Sequence, residues 1–429
     1  MTATIQEKMN AGAYDKSMAK LYAQENALEA QRARYLSLAE DFADLFGTND
    51  NLRFFSAPGR TEVGGNHTDH NHGKVLAASI NLDAIAAVAA TGNNIIRVKS
   101  RGYAKMDVVN LATLSPVAEE TDHSAALIRG VAARFQQLGY QIGGFDAATT
   151  SDVLSGSGLS SSAAFEVLIG TILNYLYNDG KVSPVEIAQI AQYAENKFFG
   201  KPCGLMDQMA CSVGSFVKID FADPAKPVIE PVVFDFASCG HSLCIVDTRA
   251  SHADLTDEYA AIRSEMEAVA AFFGKSCLRE VDKEEVYAHI NELRQSLGER
   301  AVLRAMHFYA DNARVDREAD ALAKGDFETF KSCVIESGYS SYMYNQNVFA
   351  PKKPSDQPVS LALAVSESIL QGKGAWRVHG GGFAGTIQAF VPNALVAEYK
   401  EKMEAIFGEG ACYILSIRPV GGVEVVAEQ

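Results

Sequence analysis

The stretch SDVLSGSGLSSSAAFEVLIGTIL, from Ser151, constrains this chain more than any other. Gly156 and Gly158 permit tight backbone approach. Ser160, Ser161 and Ser162 follow, and from Ala163 the sequence reads as a helix. Small residues at a helix start leave N–H groups pointing outward, where the helix dipole favours an anion. Serine hydroxyls there also suit Mg2+ or phosphate oxygens. The plain alternative is a serine N-cap after a flexible turn, with nothing bound. No Gly-x4-Gly-Lys-Ser/Thr occurs in the chain, so this is not a Walker A loop. One G-x-G-x-x-G occurs at Gly380, Gly382 and Gly385. A dinucleotide site needs a helix directly after those glycines, and TIQAFV reads as a strand.

The remaining pattern is α+β. LRFFSAP, KVLAASINLDAIAAVAA and NIIRVKS are β-like, apolar runs broken by turn residues. From Leu255, the positions Tyr259, Ile262, Met266, Val269 and Phe273 trace an amphipathic helix. GAWRVHGGGFAGTIQAFVP reads as strand, glycine loop, strand. Strands and helices interleave without strict alternation, which predicts an α+β fold. Residues 1–46 are proline-free and rich in Ala, Glu and Lys, and read as one or two surface helices. Pro224, Pro227 and Pro231 each remove a backbone donor, so their segment reads as a loop or connector between strands. At 429 residues the chain is too long for one ordinary core and suggests two domains.

A formal charge of −15 argues against nucleic acid as a partner, because phosphate backbones are bound by basic surface. An anionic small substrate stays open, since a few local basic groups outweigh a distant acidic field. The seven cysteines are odd in number and form no C-x-x-C pair, which predicts reduced thiols in a cytoplasmic protein. The N-terminus lacks the apolar core of a secretion signal, and no apolar run approaches a membrane span.

GRTEVGGNHTDHNHG, Gly59 to Gly73, packs His67, Asp69, His70 and His72 together. It reads as a metal site or as a pocket for a polyhydroxylated molecule. No helical i,i+4 histidine pair supports the metal. AENKFFGKPCGLMDQMAC places Glu195 twelve residues before Asp207. Asp207 is flanked by Leu205, Met206 and Met209, and a carboxylate in apolar surroundings needs a partner or a function. Phosphoryl transfer to a hydroxyl requires an orienting carboxylate or base and a further Mg2+ ligand, roles that suit this pair. The plain alternative is that Asp207 caps a helix beginning at QMAC.

APGR…GGNHTDHNHGKVL, GSGLSSSAAFEV, AENKFFGKPCGLMDQ and VHGGGFAG occur in the order seen in the GHMP small-molecule kinases. The chain resembles the galactokinase branch most, from about Phe54 to its C-terminus. The resemblance implies two α+β domains with the active site in the cleft between them. Beyond the helical extension read over residues 1–46, it implies an N-terminal kinase domain over 47–215 and a C-terminal one over 216–429. It further implies a monomer that uses ATP and Mg2+ to phosphorylate a sugar, D-galactose first, at its anomeric hydroxyl. Asp207 matches the catalytic aspartate, and Arg60 the arginine that keeps it ionised and stabilises developing charge. Gly156, Ser157, Gly158, Leu159, Ser160, Ser161 and Ser162 match the phosphate cradle. Ser162 and Glu195 match Mg2+ ligands. His67, Asp69 and Tyr259 match sugar contacts, a substrate set completed by Asn66, Arg60 and Asp207. Alternating His, Asp and Asn groups suit hydroxyls that donate and accept, so GRTEVGGNHTDHNHG is read as a sugar pocket.

The chain departs from the common motif Gly-Arg-x-Asn-x-x-Gly-Glu-His-x-Asp-Tyr. Glu62 stands at the Asn position, Asn66 at the Glu position that contacts C6, and His70 at the Tyr position. A neutral Asn66 is compatible with a C6 hydroxyl, a C6 carboxylate or a pentose, which keeps galacturonate and L-arabinose open. Leu154 replaces a frequent proline, and His379 and Ala384 alter the last glycine loop. His379 is read either as a substrate or phosphate contact or as a packed loop histidine. A non-catalytic sugar and ATP sensor, the reading from another class, would be expected to lack the phosphate loop or the base. The HTDH motif argues against a non-sugar alcohol as substrate.

Overall fold

The computed structural model describes residues 4–22, 27–47, 51–153, 158–200, 203–250 and 255–428. The N-terminal part runs α1 (Ile5–Asn10), α2 (Asp15–Tyr22), α3 (Ala27–Phe46), β1 (Arg53–Gly64), β2 (Lys74–Ala90), β3 (Ile95–Ser100), β4 (Asp107–Asn110) and α4 (Ser124–Gln137). It continues through β5 (Phe145–Ser151), α5 (Ser161–Tyr177), α6 (Pro184–Ala194) and α7 (Met206–Val213). Next come β6 (Phe216–Asp220), β7 (Val228–Val232), β8 (His241–Asp247), α8 (Thr256–Phe272), α9 (Lys283–Ala288), α10 (Ile290–Leu297), α11 (Glu299–Ala323) and α12 (Phe327–Ser340). The chain closes with α13 (Pro358–Leu370), β9 (Ala375–His379), β10 (Thr386–Pro392), α14 (Val396–Phe407), β11 (Cys412–Leu415) and β12 (Val423–Val425). The mixture is α+β, as the pattern predicts.

Two compact units form. The first comprises Met1–Arg60, Ser79–Ser215 and Arg418–Gln429, and the second comprises Thr61–Ala78 and Phe216–Ile417. This division differs from cuts at residues 46 and 215. β1 and β2 each run unbroken from one unit into the other, so no turn residue marks the change. The last residues return to the first unit because β12 pairs with β1, Phe54 opposite Val425.

The first unit orders its strands β12-β1-β2-β5-β3-β4. β3 and β5 are parallel, and α4 supplies the crossover such a pair requires. Consecutive residues of a strand face opposite ways. Phe54 meets Tyr14 and Tyr35 edge-on, while Phe55 packs on Tyr175 of α5. The sheet is therefore covered by α1–α3 on one face and by helices including α5 on the other. The N-terminal segment is three helices with a buried stripe, not one or two lying on the surface. Tyr14, Met18 and Tyr22, then Tyr35, Leu38 and Phe42, recur at helical spacing and are buried.

The second unit holds an antiparallel sheet ordered β11-β8-β10-β9. Its core joins Val246, Val378, Ile387 and Trp376 to Leu370 of α13 and to Tyr399 and Met403 of α14. A second cluster unites α8, α10 and α11 through Ile262, Met266, Leu293, Val302 and Phe308. β6 pairs with Lys74–Ala78 of β2, and β7 pairs with β6. The proline-rich segment is thus a hairpin rather than a simple connector. Pro231 fits because β7 is an edge strand, where a missing N–H is tolerated. α6 and α12 each pass into a π-helical turn, Glu195–Phe199 and Ser341–Asn345. All seven cysteines are free thiols. Among the described residues no helix is long and apolar enough to cross a membrane.

Candidate functional site

In the first unit the chemistry gathers at the start of α7. Leu205 is the N-cap residue and makes no side-chain cap bond, so Asp207 sits in the first turn without capping it. Its carboxylate receives both prongs of Arg60, Nε to Oδ1 at 2.7 Å and Nη2 to Oδ2 at 2.8 Å. Two parallel bonds of this kind fix orientation as well as charge. Arg60 is 12% exposed and Asp207 32%, so the carboxylate remains within reach of a ligand. Ser160 Oγ donates to Asp207 Oδ2. Ser160 itself is left-handed, with φ 59°, and does not cap α5. Arg60 also donates from Nη1 to the Gly158 carbonyl and from its backbone N–H to the Leu159 carbonyl. One arginine therefore joins the catalytic candidate to the glycine- and serine-rich segment that leads into α5. Gly158, Leu159, Ser160, Ser161 and Ser162 lead into α5 as expected; Gly156 and Ser157 lie outside the described residues.

Glu195 opens its π-helical turn and is 2% exposed. Its Oε2 accepts from Gln208 Nε2 at 2.7 Å, and the same nitrogen donates to Glu166 Oε2 at 3.1 Å. Glu166 follows Ser162 by one helical turn on α5. Burial first, and then the Glu195 carboxylate, push the Cys203 thiol up. Ser162 and Glu195 offer only oxygen donors, which fits the hard cation Mg2+. No group of three or more His, Cys, Asp and Glu among the described residues could hold a metal ion. A cation here would thus draw most of its shell from phosphate oxygens and water.

In the second unit, Asn66, His67 and Tyr259 meet at one glycine loop. The Gly380 carbonyl accepts from Asn66 Nδ2 at 2.7 Å, the Gly381 carbonyl from His67 Nε2 at 2.9 Å, and the Gly382 carbonyl from the Tyr259 hydroxyl at 2.8 Å. Gly382 has φ +81°, and a Cβ there would lie 1.9 Å from the Asn347 carbonyl oxygen, so no other residue fits. Burial pushes the Tyr259 phenol up to about 12. Asp69 heads the 3-10 turn Asp69–Asn71 and is half-buried, as are His67 and Tyr259. Burial, and then His67, drive His70 down to about 3, so it is neutral at ordinary pH.

Asn66, expected at the substrate, lies buried in this unit. It is 0% exposed, and each of its polar atoms is already bonded within the unit. Its N–H donates to Asp311 Oδ2 at 2.7 Å, and its carbonyl accepts from His307 Nε2 at 2.8 Å. Nδ2 donates to Glu62 Oε1 at 3.0 Å as well as to Gly380, and Oδ1 accepts from Ser341 at 3.1 Å and Asn347 at 2.9 Å. Glu62, at the exchanged motif position, also takes Arg377 Nη2 at 2.7 Å. Burial lowers His307, which matches its tautomer: Nε2 donates to Asn66 while Nδ1 accepts from Ser340 Oγ at 2.8 Å.

His379 is equally engaged. Gln388 Nε2 donates to Thr61 Oγ1 at 2.7 Å, and Thr61 Oγ1 also bonds His379 Nε2 at 3.0 Å. His379 Nδ1 bonds Thr386 Oγ1 at 2.9 Å. This is a packed loop histidine. Sequence reasoning missed Arg377, Asp311, His307 and Asn347, which lie more than two hundred residues from Asn66 and follow no periodicity. The only available signal was the exchange of Glu and Asn in the first motif.

Residues 126–215 match the GHMP kinases N terminal domain, and residues 40–90 match the galactokinase galactose-binding signature. The chain is 31% identical over 377 residues to a galactokinase of Streptomyces coelicolor, covering 86% of this chain and 92% of that one. It is 34% identical over 351 residues to a galactokinase of Glaesserella parasuis serovar 5, covering 82% and 86%. Its fold is similar to the crystal structure of Lactococcus lactis galactokinase complexed with galactose, with TM-score 0.74, 23% identity, and 91% and 99% of the two chains covered.

Proposed function

The chain belongs to the GHMP kinase family, and from that premise we propose that it is an ATP-dependent sugar-1-kinase with D-galactose as its leading substrate. The observation that carries this reading is the two-pronged Arg60–Asp207 pair, tied by the same arginine to the phosphate loop. The anomeric oxygen would attack the γ-phosphorus of ATP. An O–P bond forms to the sugar, the P–O bond to ADP breaks, and the hydroxyl proton passes to Asp207. Arg60 stabilises the charge that develops as the proton moves. The loop from Gly156 to Ser162 and the N-terminus of α5 cradle the phosphates. Ser162 and Glu195 would hold Mg2+, which neutralises phosphate charge when bound. His67, Asp69 and Tyr259 bind sugar hydroxyls. Asn66, saturated by its own neighbours, holds the His67 segment on the glycine loop and leaves C6 to other groups.

The test is ADP release with MgATP against D-galactose, D-galacturonate, L-arabinose, N-acetylgalactosamine, D-glucose and mevalonate. Turnover of D-galactose well above the others is the expected outcome. Preference for galacturonate or L-arabinose would keep the mechanism and reassign the sugar. Sugar binding without turnover of any candidate would overturn the kinase reading in favour of a sensor.

A further inference from the structure

We propose that Arg34, on α3 of the N-terminal extension, is a positioning residue for the entry to the phosphate loop, so that these helices serve nucleotide binding. The proposal rests on the kinase reading above. It begins from Asp83, a fully buried carboxylate in strand β2. A buried charge must be paired and hydrogen-bonded. Asp83 receives Tyr22 Oη at 2.7 Å, Arg34 Nη1 at 2.5 Å, Arg418 Nη1 at 3.1 Å, and the Ser56 hydroxyl. Burial pushes its carboxyl up, but Arg34 and Arg418 outweigh that and hold it below its usual range. Two of these donors, Tyr22 and Arg34, come from the N-terminal helices.

Arg34 does more than neutralise Asp83. Its Nη2 donates to the Asp83 carbonyl at 2.9 Å, and that carbonyl also accepts the Asp152 N–H at 3.0 Å. Its Nε meets Asp152 Oδ2 at 3.1 Å. Asp152 directly follows the last residue of β5 and stands four positions before Gly156, the first residue of the phosphate loop in the sequence. The Asp152 side chain is 48% exposed, so a pair confined to the core has no need of it. The guanidinium is already fixed by Asp83, so this further contact orders little that was not ordered. Arg34 thus binds the residue that leads toward the phosphate loop, and Arg60 binds Gly158 within it.

The experiment uses the full chain. Asp152→Ala removes the half-exposed end of the link and leaves Asp83 paired; Asp152→Glu is the conservative control. Affinity for a fluorescent ATP analogue with Mg2+ is titrated, alongside KM for MgATP, KM for D-galactose and Tm. The expected result is a three- to tenfold loss of nucleotide affinity in Asp152→Ala, with D-galactose KM and Tm unchanged and partial recovery in Asp152→Glu. In an Arg34→Lys background, Asp152→Ala should add little, as for two partners of one contact. Unchanged nucleotide affinity in Asp152→Ala, with the wild type binding normally, overturns this inference alone. Failure of the wild-type chain to bind the nucleotide overturns both it and the kinase reading.

Discussion

Asp207 and Asn66 carry opposite kinds of burden, and each makes a distinct prediction. Asp207 is within reach of a ligand and held by Arg60 from both sides. Asp207→Asn keeps the shape and removes the basic oxygen. Turnover should fall by about 10²–10⁴, while calorimetry finds nucleotide and sugar affinity within a few-fold of wild type. Retained turnover would remove Asp207 from the mechanism. Asn66 is a buried junction. Asn66→Asp would set a second carboxylate against Glu62 and leave the Gly380 carbonyl without its donor. Denaturant midpoints should report a loss of about 2–4 kcal/mol, partly recovered by adding Glu62→Gln. A variant of unchanged stability with altered sugar selectivity would show instead that residue 66 reads the substrate.

At the scale of elements, close approach rather than propensity sets what is tolerated. Where β1 ends, a Cβ on Gly64 would lie 1.7 Å from Glu318 Oε2 of α11. Gly64→Ala should therefore destabilise by about 1–3 kcal/mol, the usual range for overpacking. Glu318→Ala should relieve much of that loss in a double-mutant cycle. Additive losses would mean that strand and helix do not meet there. On the N-terminal helices, Tyr35 packs edge-on to Phe54 at 5.4 Å and shares a hydrogen bond with Tyr22 at 3.0 Å. Tyr35→Ala should remove about 3–5 kcal/mol, as for other buried aromatics. A surface helix would lose far less, so urea unfolding separates the two.

Over the whole molecule, stability should decline on the alkaline side. Burial first, and then Asp311, raise Glu318 to about 8, and neither of its carboxyl oxygens has a hydrogen-bond partner. Its folded pKa lies above the unfolded value, so the native state binds more protons between the two. Stability is then greatest below about pH 4.5 for this group and is lost as pH rises through about 8. Glu318→Gln should flatten that decline, raising Tm at pH 8–9 and changing little near pH 5. Equal melting shifts at both pH values would show that Glu318 does not titrate there. A net charge of −15 adds its own repulsion, but that part is screened by salt and the Glu318 difference is not.

Local pattern determined much of this protein. β2 as one long strand, α8 from its apolar spacing, the helix after the triple serine, and the strand that excludes a dinucleotide site all depend on neighbours in sequence. The order of the four motifs placed the chain in its family. What the sequence could not convey is which distant groups share a buried space. The boundary inside β1 and β2, the return of β12, and the contacts of Arg34 with Asp152 and of Arg60 with Gly158 arise from pairing across the chain. Asn66 reads as a substrate contact in sequence and is a buried junction in the fold. Hydrogen-bond capacity belongs to a residue's type, but whether it is already used is decided only by tertiary neighbours.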